Sequence, residues 1–416
     1  MKKHWKFLLT AALCAALLMV GVTAASAEIA DSGTCGADLR WTLDGTGLLT
    51  ITGTGGMTDY SEDDPAPWGT DITGVVIENG AASIGSYAFC WCAGLSGVII
   101  PGSVATIGDW AFGYCDGLTA VSLPEGVAYI NDCAFMYCCN LADVILPDSL
   151  TSIGNDAFSG CYSLTDVTIP DGVETIGYAF RFCSGLTSIL VSENSAAFAS
   201  YADALYDKAR TVLIQYPCGK NTAVLAEGVL DIGEYAFGGC DLLTSVTLPS
   251  SVLRLGEHAF DACTSLSAVT VPSSVYSIGD YAFDGCSSLA SVTIPESVTS
   301  IGNYAFSDCP SLTLSVYLKS AGLDYAKANS IPYTILVNPE TVNTLFLPTD
   351  LTTIEAEAFA GAAFEAVIVQ EGCQSIGAGA FDHCPHLIYV RVPAGTAIHD
   401  TAFAGCDDVT VDRMTP

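Results

Sequence analysis

The sequence feature that most constrains the fold is a phenylalanine that returns at a nearly fixed interval. Most of these phenylalanines follow the previous one by 23 residues, and three follow it by 22. Two longer gaps, before Phe237 and before Phe359, hold inserted segments. A fixed period of roughly 20 to 50 residues indicates a solenoid of stacked repeats. The twelve residues are Phe89, Phe112, Phe135, Phe158, Phe180, Phe237, Phe260, Phe283, Phe306, Phe359, Phe381 and Phe403.

The residues around each phenylalanine repeat as well, and Val275 to Ser297 (VYSIGDYAFDGCSSLASVTIPES) is a representative unit. An Ile-Gly pair precedes the phenylalanine, and a Val-x-Ile-Pro type of segment follows it. A cysteine stands three residues after the phenylalanine in all copies but one, which has Ala362. These ladder cysteines are Cys92, Cys115, Cys138, Cys161, Cys183, Cys240, Cys263, Cys286, Cys309, Cys384 and Cys406.

The pattern inside the unit predicts its local structure. The Val-x-Ile segment alternates apolar and polar residues, which is the period of a half-buried strand, and its proline cannot extend a ladder. Asp or Asn before x-Ala-Phe suits the N-cap of one short helical turn. Each unit is therefore predicted to form a strand, a turn, a short helix or 3₁₀ turn, and a return. The predicted caps are Asp109, Asp132, Asp280 and Asn303.

One unit is too short to fold alone, so each must cover the open faces of its neighbours. The strands are then predicted to stack into one long parallel β-sheet. The fold class expected is a repeat solenoid with short helical or 3₁₀ turns and an N-terminal β cap.

The repeated pattern V-x-x-I-G-x-x-A-F-x-x-C-x-x-L-x-x-V-x-I-P resembles that of the BspA-like bacterial leucine-rich-repeat surface proteins. The resemblance covers roughly residues 75–411. It implies a right-handed curved solenoid, secretion, and a role in adhesion to host or neighbouring-cell surfaces. It also implies a β cap ahead of the first repeat.

The rest of the chain divides around these repeats. Residues 1–27 have the form of a secretion signal, with lysines, then the apolar run Phe7 to Val22, then Ala25-Ser26-Ala27, which predicts cleavage after Ala27. The alternating runs around Asp44-Gly45 predict a hairpin in the cap. The predicted organisation is 1–27 signal peptide, 28–80 β cap, 81–190 repeats, 191–228 β-hairpin insert, 229–312 repeats, 313–345 insert and 346–411 C-terminal repeats.

The charge restricts the partners. The chain has 13 Lys and Arg against 45 Asp and Glu, and three of the lysines lie in the first six residues. An acidic surface repels phosphate backbones and anionic headgroups, so the sequence predicts no nucleic-acid binding. No stretch after the signal is long and apolar enough for a membrane span, so we expect no transmembrane segment in the mature chain.

The cysteines have two interpretations. A secreted chain with many cysteines suggests a disulfide framework. Ladder cysteines, however, point in the same direction about 4.8 Å apart, and buried cysteine behaves as a small apolar residue, so we predict a reduced core ladder. The cysteines outside this register are better placed to react or pair: Cys35, Cys90, Cys133, Cys139, Cys218 and Cys373.

The sequence nominates no catalytic, metal or cofactor site. It has no HExxH, G-x-S-x-G, P-loop or CxxC motif, and a straight ladder of thiols does not converge on zinc. His383 and His386 flank the ladder residue Cys384, which is expected to face inward. The loop Asp59 to Asp64 (DYSEDD) leaves weak Ca²⁺ binding open. We expect a protein that is not an enzyme and has no cofactor.

Two surfaces are candidates for a partner. Aromatic residues recur two positions before and two after the core phenylalanine, which predicts stripes of Tyr and Trp that either bind a partner or pack as a second layer. The outer face of the sheet carries hydroxyl side chains, and solenoids commonly bind along such faces. The candidate residues are Trp91, Trp110, Tyr114, Tyr137, Thr168, Thr247, Thr270 and Thr293.

The function predicted from these features is that of a secreted or cell-surface, non-enzymatic leucine-rich-repeat protein. It would bind protein or glycan ligands on host or neighbouring cells, as an adhesin does. Two alternatives remain: a structural envelope or spacer protein, and a carbohydrate-binding protein that uses the aromatic stripes.

Overall fold

The computed structural model describes residues 28–414. The predicted signal peptide and its cleavage site lie outside these residues. The described chain divides into two compact units, the first ending at Leu314 and the second beginning at Ser315.

The first unit opens with three strands, β1 (Ile29–Thr34), β2 (Asp38–Asp44) and β3 (Leu48–Gly56). They form an antiparallel meander, and the turn Asp44 to Gly47 joins β2 to β3. The indole of Trp68 stacks on Phe89, the core ring of the first repeat, at 5.6 Å between centroids. The residues before the first repeat therefore close the end of its ring column.

The next eleven strands are one strand just before the first repeat and two strands from each of five repeats. Even-numbered strands lie at the Val-x-Ile segments and form row one, and odd-numbered strands lie at the residues before the Ile-Gly glycine and form row two. They are β4 (Gly74–Ile77), β5 (Ala81–Ile84), β6 (Gly97–Ile99), β7 (Thr106–Ile107), β8 (Ala120–Ser122), β9 (Tyr129–Ile130), β10 (Asp143–Ile145), β11 (Ser152–Ile153), β12 (Asp166–Ile169), β13 (Thr175–Ile176) and β14 (Ser188–Val191).

Both rows are parallel. Row two runs without a break from β5 to β13, and row one is paired in shorter groups, such as β8 with β10 and β12 with β14. The sequence predicted row one only. Row two was not anticipated because each of its strands is mostly two residues long, which is too short to show a period.

The insert before Phe237 forms β15 (Phe198–Tyr201), β16 (Ala204–Asp207) and β17 (Val212–Gln215). The first two form a hairpin, and β17 is antiparallel to β16 but parallel to the next row-two strand. The repeats then continue through β18 (Thr222–Ala223), β19 (Asp231–Ile232), β20 (Ser245–Thr247), β21 (Arg254–Leu255), β22 (Ala268–Thr270), β23 (Ser277–Ile278), β24 (Ser291–Ile294), β25 (Ser300–Ile301) and β26 (Thr313–Tyr317).

Each repeat forms one coil of the solenoid. The core phenylalanine ring of a coil stacks on the rings of the neighbouring coils, and together these rings form a column. Consecutive rings lie 4.7 to 5.5 Å apart, as between Phe237 and Phe260 and between Phe158 and Phe180. The rings from Phe89 through Phe283 and the ring of Phe381 are fully buried, Phe306 is 4 % exposed, and Phe359 and Phe403 are partly buried. A ring cannot be shielded by its own 23-residue coil, so each coil needs a neighbour on both sides.

The segment around each core phenylalanine is a series of turns. In the Phe89 coil the amides of Ala88, Cys90 and Cys92 donate to carbonyls three residues back in the same coil. The amides of Tyr87, Phe89 and Trp91 donate instead to the next coil. The bonds within the coil are of 3₁₀ type, and they alternate with bonds between coils. The segment therefore combines the local hydrogen bonds of a helical turn with the inter-strand hydrogen bonds of a sheet.

The N-cap prediction was wrong for Asp109, Asp132 and Asp280. Each carboxylate accepts the backbone amide at the same position of the next coil, as Asp280 Oδ1 does from Asn303 N at 2.7 Å. Because the turn amides are already bonded within or between coils, the aspartate serves the neighbouring coil rather than its own turn.

The second unit contains one helix, α1 (Ala321–Ala328), capped by the Ser320 hydroxyl, which accepts from Leu323 N. Its remaining strands are β27 (Tyr333–Leu336), β28 (Thr344–Phe346), β29 (Thr353–Ile354), β30 (Ala366–Ile368), β31 (Ser375–Ile376), β32 (Tyr389–Pro393), β33 (Ala397–Ile398) and β34 (Thr410–Met414). From β28 onward they again form two parallel rows around a ring column, that of Phe359, Phe381 and Phe403.

Candidate binding surface

The aromatic residues on either side of the core phenylalanine have an unusual backbone conformation. Tyr87 and Trp91 have φ of 56° and 61°, and Trp110, Tyr114 and Tyr137 are alike. A bulky residue in this left-handed region is an outlier that costs roughly 1–2 kcal/mol. The alternating turn bonds impose this conformation at both positions, and the two side chains of a coil then project on the same side.

Five of these rings join into one surface, which we call the aromatic patch. Its neighbouring rings lie 5.1 to 6.4 Å apart, both between coils, as in Tyr114–Tyr137, and across positions, as in Trp110–Tyr114. They are nearly parallel except for Tyr87 and Trp91, whose planes are tilted by 42°. The patch consists of Tyr87, Trp91, Trp110, Tyr114 and Tyr137. Four of the sequence-predicted residues are therefore brought together, and Tyr87 is added to them.

Exposure differs within the patch. The indole of Trp91 is 39 % exposed, and the other four rings are half-buried because their faces cover one another. Burial, together with the nearby carboxylate of Glu62, raises the pKa of Tyr87 above its ordinary value. The patch thus presents ring edges and one open indole in an acidic environment.

A second stripe of rings begins before the insert in sequence and continues after it: Tyr178, Tyr235, His258, Tyr281 and Tyr304. At its start Arg181 places its guanidinium 4.0 Å from the centroid of the Tyr235 ring and donates to both carboxylate oxygens of Asp156. Sequence reasoning missed Arg181. A basic residue next to a core phenylalanine, in a chain with few bases, could have indicated an ion pair or a cation–π contact there. These contacts are all within the chain, so the rings and Arg181 in this stripe hold neighbouring coils together.

The threonine candidates lie elsewhere on the coil. Thr168, Thr247, Thr270 and Thr293 are exposed on row one, and Thr247 and Thr270 are direct partners on neighbouring strands. Thr168 is paired with Leu190 instead, and both of these residues lie before the insert. The patch lies on the turns around the core phenylalanines, so the two sets of candidates form separate surfaces.

The ladder cysteines are thiols in the structure, and most are buried. The Sγ of Cys115 donates to the Phe89 carbonyl at 3.0 Å, and Cys286 donates to Phe260 at 3.2 Å. The same bond is made by Cys138, Cys161, Cys183, Cys263, Cys309, Cys384 and Cys406. In Cys92 and Cys240 the thiol lies 3.9 Å from its acceptor carbonyl.

The thiols outside the ladder are partly or fully enclosed. Cys35, Cys90, Cys218 and Cys373 are buried, while Cys133 and Cys139 are half-buried. Burial raises the pKa of Cys90 and of Cys133 to about 12. A thiol with so high a pKa is a poor nucleophile at neutral pH.

Across residues 28–414, no three His, Cys, Asp or Glu side chains are placed to hold a metal ion together. In the DYSEDD loop, Asp59 already accepts the amide of Ser86 at 2.8 Å. None of the helices described within this range is long and apolar enough to cross a membrane.

Comparison with known proteins agrees with the repeat architecture. The BspA type leucine-rich repeat region matches six copies, over residues 69–204, 215–325 and 329–411. A leucine-rich repeat protein from Eubacterium ventriosum is 27 % identical, with a TM-score of 0.56, and the alignment covers 91 % of this chain and 96 % of that one. None of the curated proteins matches.

The pneumococcal vaccine antigen PcpA shares the fold at 16 % identity, with a TM-score of 0.58 over 94 % of this chain and 100 % of its own. The six matched copies span most of the described residues, and the stacked coils account for the repeated positions. The chain belongs to the BspA-type leucine-rich-repeat proteins.

Proposed function

We propose that this chain is exported and binds a partner protein at a cell surface, without catalysing a reaction, through the aromatic patch. Membership of a leucine-rich-repeat surface-protein family supports a binding role. Repeat solenoids bind through extended surfaces that combine contacts from several coils. The patch is such a surface, since its rings come from three successive coils.

The observation that carries this proposal is the backbone strain, a positive φ, at the residues that bear the rings. The position two residues after the core phenylalanine also holds Gly160, Gly239 and Gly285, again with positive φ. Glycine adopts that conformation without penalty. The fold does not need a ring there, so Trp91, Tyr114 and Tyr137 are retained against a local cost, as happens at sites of function.

The geometry also indicates the kind of partner. Most of the ring faces in the patch are turned toward a neighbouring ring, whereas sugars stack on an open ring face. Ring edges and one exposed indole suit the apolar and basic side chains of a protein, and Trp and Tyr are common anchors in such contacts. The net charge of −32 favours a neutral or basic partner and repels an acidic one.

The proposal is tested with Trp91→Gly, which gives this coil the glycine that other coils already have. We expect the apparent Kd for a captured partner to rise about 30-fold or more, as for a tryptophan hot spot. The partner is sought by pull-down with the mature chain on a panel of matrix proteins, cell-surface proteins and glycans.

The matched control is Ala262→Gly, at the same turn position of a later coil, where φ is 54°. It makes the same backbone change without removing a ring, so its Kd should equal that of the wild type. Equal binding by Trp91→Gly, or binding to no panel member at micromolar protein, would contradict the proposal. Binding to glycans alone would favour the carbohydrate alternative.

Export is tested by fractionating the producing cell with an antibody to the chain. We expect the protein in the medium or at the cell surface, with Glu28 as its first residue. A chain found only inside the envelope, with no external partner, would favour the spacer alternative.

A further inference from the structure

The thiols of Cys218 and Cys240 are closer together than two separate thiols can pack. Their Sγ atoms are 2.7 Å apart, and both side chains are fully buried. Non-bonded carbon atoms rest about 3.5–4.0 Å apart, and sulfur is larger than carbon. A disulfide bond is about 2.05 Å long. The two sulfur atoms are therefore within a small side-chain movement of a covalent bond.

The cause is a one-residue shift in the insert coil. Its core ring is Tyr216, which stacks 4.9 Å from Phe237, and its cysteine stands two residues after that ring rather than three. In a regular coil the thiol turns to a carbonyl, as Cys263 does to Phe237 at 3.2 Å. In the shifted coil the thiol of Cys218 meets its neighbour instead, and Cys240 lies 3.9 Å from the Tyr216 carbonyl.

We propose that Cys218 and Cys240 form a disulfide that joins the insert coil to the first regular coil after it. The two coils are direct neighbours, since Tyr216 N donates to Ala236 O at 2.7 Å. Adjacent coils lie about 4.8 Å apart, within the roughly 4.4–6.8 Å between Cα atoms that a disulfide spans. This assigns a covalent bond to one pair within a ladder of thiols.

The bond would form by exchange with a small-molecule disulfide such as oxidised glutathione. The thiolate of one cysteine attacks a glutathione sulfur and releases one glutathione as thiolate. The second cysteine thiolate then attacks the mixed disulfide at the protein sulfur and releases the other glutathione. The cysteines lose two protons and two electrons, and the two glutathione thiols receive them.

Exchange has to precede closure of the coil, because both thiols are inaccessible afterwards. Burial also raises the pKa of Cys240 well above its ordinary value, which leaves little thiolate in the folded state. Once formed, the bond would be protected from reductants by the same burial. It is expected in an exported chain and not in one kept in a reducing cytosol.

The test is a tryptic map made without reduction. Reduced, unfolded chain is refolded with oxidised and reduced glutathione, then denatured in acid, alkylated and digested. Cleavage at Arg210, Lys220 and Arg254 places Cys218 and Cys240 in separate peptides, residues 211–220 and 221–254, with one cysteine each. We expect these two peptides as one linked species that separates on reduction.

Cys263 and Cys286 are the internal control, and both should be recovered alkylated. In Cys218→Ser the linked species should disappear and Cys240 should be alkylated. If Cys218→Ser folds poorly, Cys240→Ser is the second variant, and in it Cys218 should be alkylated. Recovery of both cysteines as free thiols from refolded wild type would overturn the proposal. Cross-links scattered over the other ladder cysteines would overturn it too.

A second measurement uses the folded wild type. A reductant present during denaturation should lower the urea midpoint of the wild type and leave that of Cys218→Ser unchanged. An equal midpoint with and without reductant in the wild type would also count against the bond.

Discussion

A regular coil and the insert coil meet the same physical requirements with different residues. In the Phe260 coil a phenylalanine fills the column and a cysteine three residues later caps the carbonyl of the coil before. In the insert coil Tyr216 fills the column, and its hydroxyl donates to Thr222 O at 2.8 Å. The stacked ring is common to both, whereas the thiol contact changes when the spacing changes by one residue.

The largest effect is expected from removing a ring of a regular coil. Phe260 stacks on rings at 4.7 and 5.0 Å and is fully buried. Phe260→Ala should lower the free energy of unfolding by about 3–5 kcal/mol, measured by urea denaturation. Tyr216→Ala tests the comparison, because the insert coil should lose a similar amount if it belongs to the same column. A loss below about 1 kcal/mol there would separate the insert from the core.

Exchanging the two kinds of ring should have a smaller effect. Phe260→Tyr adds a hydroxyl to a fully packed site and should cost about 1–3 kcal/mol. Tyr216→Phe removes a hydroxyl that has an acceptor and should cost about 0.5–1.5 kcal/mol. Urea denaturation of both variants checks the order. If Tyr216→Phe is the more damaging of the two, the insert coil is held chiefly by its hydrogen bond.

Removing one ladder thiol should cost about 1 kcal/mol. Cys286→Ala deletes the thiol bond to the Phe260 carbonyl, but that carbonyl still accepts from Cys263 N at 3.2 Å, so it is not left without a partner. The measurement is the urea midpoint at fixed reductant. A cost near that of losing a ring would mean that the thiol bond, and not the ring column, holds regular coils together.

The smallest expected effect is a change in pH dependence. Burial, and next the charge of Asp308, raise the pKa of Asp284 above its ordinary value, so the folded chain holds that proton more tightly than the unfolded chain. The resulting stability is complete below the unfolded pKa of about 3.9 and is lost as pH rises through the folded pKa. Asp284→Asn should therefore gain stability relative to wild type as pH rises.

Denaturation midpoints measured across acid and neutral pH check this, with Asp241→Asn, at an exposed position, as the control. The insert coil has Pro217 at the position of Asp284, so this dependence belongs to the regular coil alone. A constant difference between Asp284→Asn and wild type at every pH would contradict the prediction.

The sequence predicted the column and row one because both depend on residues repeated many times, such as Phe260 and Val269. It did not predict row two, whose strands are too short to show a period. It assigned Asp280 to the wrong partner, since a local capping rule cannot see the next coil. The aromatic patch was only half predictable. Spacing placed Trp91, Tyr114 and Tyr137 in one stripe, but the stacking of Trp110 on Tyr114 joins two stripes and depends on a positive φ that no sequence pattern shows.

The alternating turn bonds give most regular coils the same two faces: amides at three positions on one side and carbonyls on the other, as in the coils of Phe89, Phe237 and Phe283. A coil can therefore be duplicated or deleted in the gene without redesigning its neighbours, because each new junction repeats an existing one. Selection can lengthen or shorten such a protein one coil at a time while leaving a binding site elsewhere in the array unaltered.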